Sequence, residues 1–147
     1  MAILTKASTI ASVLTTELNS LADSTNSSAS SALSYVVADS GHRYPLAHIT
    51  LTLAAQGAAR SSGAKVKVYA VCAADGTNYD DVEHTGATLL CSFNLDAVTT
   101  ARQHSQWHIA LPPSAFKIFV RNETGQAFAA SGNLIELNYY SDDPRAS

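Results

Sequence analysis

From residue 46 to residue 141 the chain repeats one pattern six times: a short stretch in which apolar side chains recur at every second position, closed by Gly, Pro, Asn or Asp. Period two is the signature of a strand with one buried face. In "LAHITLTLAAQ", Ile49, Leu51 and Leu53 alternate with His48, Thr50 and Thr52. "KVKVYAVC" sets Val66, Val68, Ala70 and Cys72 against Lys65, Lys67, Tyr69 and Val71, and "TLLCSFNL" follows as a third strand. "QWHIALP" ends at Pro112 and Pro113, which have no amide proton for a ladder. "AFKIFVRN" places Phe116, Ile118 and Val120 together, and "NLIELNYY" opposes Leu134, Glu136, Asn138 and Tyr140 to Ile135, Leu137 and Tyr139. No helical segment separates these strands, and parallel sheets need crossover connections. The expected fold is therefore all-β, an antiparallel β-sandwich of jelly-roll-like form.

The N-terminal third reads differently. Ile10, Leu14, Leu18 and Leu21 fall at spacings of four, four and three, one stripe of a short helix with Ser8 as its cap. An extended arm competes with that reading, because Thr9, Thr15 and Thr16 are β-branched and Asn19 and Ser20 favour turns. Residues 22–34 are nearly all small and polar, so this loop or arm must find backbone partners in water or in another chain. The expected division is an N-terminal helix or arm with its Ser/Ala-rich loop over residues 1–34, and a sandwich domain over residues 35–147. "QGAARSSGAK" reads as a turn or broad loop with Gly57 and Gly63 at left-handed positions.

Composition limits the partners. At 147 residues the chain suits a single domain, and only 14% of it is charged against 46% hydrophobic. A surface so poor in charge is suited to being covered by other chains. The net charge of −3, with Arg60, Lys65 and Lys67 the only basic cluster, argues against nucleic acid. No apolar run is long enough to span a bilayer and no secretory signal opens the chain, so it reads as made in the cytoplasm, with no membrane partner. In that setting Cys72 and Cys91 are expected as buried thiols.

Sites of chemistry are sparse. His104 and His108 are four apart, but on a strand that separation is about 13 Å, too far to share a metal. The loop "DGTNYDDVE" gathers Asp75, Asn78, Asp80, Asp81 and Glu83 without the spacing of a calcium loop, and its Tyr79 could stack on a sugar. No nucleophile elbow, Walker loop or dinucleotide fingerprint is present, and the Asn122 sequon "NET" reads as coincidence. The chain thus reads as a non-enzyme with no catalytic residue, metal or cofactor. Trp107 is expected in the core. Leu14, Leu18, Leu21, Tyr44, Arg60, Tyr139 and Tyr140 are the candidates for contact with another chain.

The phrases "VLTTELNSLA", "YPLAHITLTLAAQGAARSSGAKVKVY" and "LPPSAFKIFVRNETGQAFAASGNLIELNYYS" together resemble small structural proteins of tailed-bacteriophage virions, over residues 10 to 141. The resemblance implies a jelly-roll module of the capsid decoration or cement kind, a dimer or trimer bound to the major capsid protein on the virion surface. A tail-associated receptor- or glycan-binding module is the alternative. No residue here matches a known functional position of that group.

Overall fold

A computed structural model describes residues 5–6, 10–34 and 44–141. Their strands, in chain order, are β1 (Thr5–Lys6), β2 (Ala11–Leu14), β3 (Thr25–Asn26), β4 (Leu46–Leu53), β5 (Lys65–Ala73), β6 (Thr88–Asn94), β7 (Arg102–Ala110), β8 (Ala115–Glu123) and β9 (Leu134–Ser141). One sheet runs β9-β4-β7 with β1 and β2 both on the far edge of β9, and the other runs β3-β8-β5-β6. All pairs are antiparallel. The partners β2 with β9, β3 with β8, β4 with β7 and β5 with β6 nest around the β5–β6 connection, as in one long hairpin rolled into two sheets. That is the strand order of an eight-strand jelly roll.

The alternation read from the sequence decides which face each strand buries. Ile49, Leu51 and Leu53 of β4, Val66 and Val68 of β5, Phe116, Ile118 and Val120 of β8, and Ile135 and Leu137 of β9 are fully buried between the sheets. Outside the second sheet Tyr69 stacks on Phe119 at 5.3 Å, with Val71 and Ala87 packed against them.

The N-terminal helix is not formed. Ala11–Leu14 pairs with β9 as a strand whose register shifts between Ser12 and Leu14, and Thr16–Leu18 makes only a short 3-10 turn. Leu14 and Leu18 still reach the core, by strand and then turn, while Ile10 remains exposed. The cause is local. β-Branched Val13, Thr15 and Thr16 favour extended backbone, β9 offers a free edge, and Ser20 at φ 55 ends the turn. The expected cap Ser8 lies outside the described residues, as do residues 35–43 on the far side of the expected boundary at residue 34. On this side of the boundary, the N-terminal segment is part of the sandwich, since Leu14 and Leu18 share one core with Ile135 and Leu137.

The Ser/Ala-rich segment finds its backbone partners within its own chain. The amides of Ser24, Ser27, Ser30 and Leu33 donate to the carbonyls of Asn122, Val120, Ile118 and Phe116 at 2.7 to 2.8 Å. Three residues of the segment thus advance for every two of β8. In return the amides of Val120 and Ile118 donate to the hydroxyls of Ser27 and Ser30, both at 3.0 Å, and each hydroxyl passes its own proton to the next residue's carbonyl. Serine hydroxyls replace strand carbonyls as the acceptors for β8. The tandem "SSASSA" of residues 27–32 carries this order: the first serine of each triplet is buried and the second exposed.

Candidate functional site

The outward face of the β9-β4-β7 sheet carries the least explained side chains. Register places Tyr140 beside Leu46 and Ala110, Glu136 beside Thr50 and Ser105, and Leu134 beside Thr52 and Gln103. In the row between Tyr140 and Glu136, Asn138 lies beside His48, and there the pairing with β7 slips. Ala47 faces Ile109 while Ile49 faces Gln106, so Trp107 and His108 together oppose His48. This is a β-bulge, and His108 at φ 62 supplies its left-handed turn.

Trp107 is therefore on the surface, 73% exposed, and the expectation of a core tryptophan is corrected. Its parity explains the outcome: Gln106 lies opposite the inward Ile49, and the next residue must turn outward. The Trp107 and His48 rings are T-shaped with centroids 6.2 Å apart, and His48 tilts against Tyr140 at 5.2 Å. The Tyr140 hydroxyl lies 3.2 Å from His108 Nδ1. One row along, Thr50 Oγ1 and Ser105 Oγ are hydrogen-bonded at 2.9 Å. Asn138 Oδ1 is shielded from solvent and, among the described residues, has no hydrogen-bond partner. An exposed indole is thus bordered by imidazoles, hydroxyls and amides, with Glu136 the one carboxylate on these rows. Such a surface can stack and hydrogen-bond, but it has no pair of carboxylates for acid–base work.

The residues expected at a partner interface are mostly inside the domain. Leu14 and Leu18 are fully buried in the core, Tyr44 and Tyr139 belong to the same cluster, and Leu21 packs half-buried against it. Burial raises the Tyr139 hydroxyl pKa. Arg60, with its side chain fully buried, is a staple between loops. Its Nε donates to the Asp96 carbonyl, Nη1 to Gln56 Oε1, and Nη2 to Asp96 Oδ1 and the Thr100 carbonyl. Arg102 and then Arg60 hold the Asp96 carboxyl down at about 2. Tyr140 alone of the seven borders the Trp107 face.

The other sequence features have structural roles. Asp75 accepts from the amides of Asn78 and Thr77 and from the Asn78 side chain, which lowers its pKa to about 2. The Tyr79 ring already receives the Lys117 ammonium at 4.4 Å. His104 lies opposite the inward-facing Leu51, whereas His108 meets Tyr140 on the outward face. Cys72 and Cys91 are free thiols, and burial pushes Cys91 up to about 12. Asn122 is fully buried, giving its amide protons to the carbonyls of Leu21 and Gln126 and accepting from Thr124. The folded chain cannot offer that nitrogen for glycosylation.

A second feature lies at the side where both sheets end, at β6 and β7. A shallow apolar cleft of about 320 Å³ opens there between Cys72, Thr88, Leu90, Leu111, Pro112 and Pro113. Leu89 beside it is half exposed. Gln106 Nε2 reaches across to the Ser92 carbonyl, joining the two edge strands.

No protein-family model matches this chain, and no curated protein matches it. The two features that sequence reading missed have different causes. The bulge at Trp107 and His108 depends on pairing with β4, which no local pattern encodes. The tandem triplet "SSASSA" is plain in the sequence, but its meaning requires β8 alongside it.

Proposed function

We propose that this chain is a structural protein of a phage virion, a capsid decoration or cement module that binds and stabilises the assembled shell. The observation that carries this reading is the asymmetry of the two sides of the sandwich. On one side, β1, β2, β3 and the serine segment occupy the edges of β9 and β8. On the other, β6 and β7 end their sheets with no further strand among the described residues, and the apolar cleft lies between them. An open strand edge beside an apolar cleft is a surface for pairing with another chain. The low charge content and the jelly-roll order, a fold common among viral coat proteins, support the same reading. Fold alone does not carry it.

The mechanism is mass action. A protein that binds only the assembled lattice stabilises that lattice, and self-association into a dimer or trimer multiplies the effect. The partners are the major capsid protein and further copies of this chain, on the virion surface. We assign the contact surface to the β6–β7 side, a reading supported by the N-terminal segment spending its hydrogen bonds on its own β8. The test is the copy number of this chain relative to the major capsid protein in purified virions, by mass spectrometry with labelled reference peptides. Comparable numbers are expected; a handful of copies per particle would overturn the shell assignment.

A further inference from the structure

We propose that the outward face of the β9-β4-β7 sheet around Trp107 is a binding site for a neutral, hydroxyl-rich glycan, one sugar ring of which stacks on the indole. The proposal does not depend on the shell assignment.

Three observations point to this ligand chemistry. The Trp107 ring is 73% exposed on an edge strand, at the bulge it shares with His108 and in T-shaped contact with His48. A flat indole face without an apolar neighbour in its row is suited to the C–H face of a pyranose, and sheet register extends the surface past it. The surroundings are hydrogen-bonding and almost uncharged: His48 and Asn138 lie in the same row, with Thr50 and Ser105 in the next. Finally, Asn138 continues the row two strands from Trp107, about 10 Å away at ordinary strand spacing, which is room for a second sugar ring beside the first. A protein hot spot would instead be expected in an apolar pocket with a closed rim, and the apolar cleft of this molecule lies elsewhere, at Leu90 and Pro112.

Trp107 is the single tryptophan of the chain, so its emission reports this site alone. The intact protein is titrated with cellohexaose, chitohexaose, maltohexaose and laminarihexaose, with hexagalacturonate as the anionic comparison, following fluorescence and calorimetry together. At least one neutral hexasaccharide should give a saturable emission change with a matching heat, little altered by salt. In calorimetry Trp107→Ala should weaken that binding at least about tenfold, while Trp107→Phe keeps part of it. Tyr79→Ala, away from this face, should leave it unchanged. The absence of a saturable response to every neutral sugar would overturn the proposal, as would binding that survives Trp107→Ala. If no sugar binds and Trp107→Ala instead dissociates oligomers of this chain, the face is a protein contact and the glycan site is refuted. The exposed position lets circular dichroism confirm that each variant is folded.

Discussion

Replacing Ser27 and Ser30 together by alanine should damage the fold far more than replacing Ser28 and Ser31, although the four serines look alike in the sequence. In the first pair the alanines remove the acceptors for the Val120 and Ile118 amides, both buried, and no water reaches them. A buried donor left unpaired costs about 1–3 kcal/mol. The two sites are neighbours on β8 and need not add, so the double variant should lose about 3–4 kcal/mol. For a chain of this length that is a fall in Tm of roughly 10 °C. Ser28 and Ser31 are exposed and serve the network only through their carbonyls, which alanine retains, so their double variant should stay within about 0.5 kcal/mol of the parent. Urea unfolding gives both midpoints, and an unchanged m-value would confine the effect to stability. Hydrogen exchange should locate the loss at the Val120 and Ile118 amides. The reasoning is refuted if the two double variants behave alike, or if Ser27 and Ser30 together cost less than about 1 kcal/mol.

Three further outcomes follow from the same geometry. Arg60→Met should cost about 3–5 kcal/mol in urea unfolding, because Gln56 Oε1 and the Asp96 and Thr100 carbonyls lose their donor; a neutral result would mean that the loops do not depend on this staple. Gly125→Ala places a Cβ 1.9 Å from Ser61 Oγ at φ +81, whereas Gly63→Ala at φ +76 meets open space. The first should cost about 3 kcal/mol and the second only about 1–2 kcal/mol, and equal losses would show that backbone conformation alone matters. Asp96 is held ionised by Arg102 and Arg60, so its folded pKa lies below its unfolded one. Its contribution is present above about pH 4 and is lost as pH falls towards about 2. Asp96→Asn should flatten the acid limb of stability against pH, and an unaltered limb would assign it to other carboxylates such as Asp75.

Much of this molecule is legible in its amino-acid sequence. The six alternating stretches became β4 to β9, since a strand between two environments must alternate, and that requirement is local. The inward residues Ile49, Leu51, Phe116, Ile118, Ile135 and Leu137 were legible for the same reason. Pro112 and Pro113 marked the end of β7 because proline cannot donate to a ladder.

Pairing between distant segments decided the rest. Leu14 and Leu18 carry helical spacing, yet the free edge of β9 drew Ala11–Leu14 into a strand, and tertiary hydrogen bonds outweighed a weak local preference. The serine triplets became an ordered edge only because β8 runs beside them, and Trp107 came to the surface because pairing with β4 turns its neighbour Gln106 inward. Local alternation determines that this chain forms strands and which residues they bury. Which edges close, which remain open and where the one tryptophan points depend on register between residues far apart in sequence, and no short-range pattern carries that information.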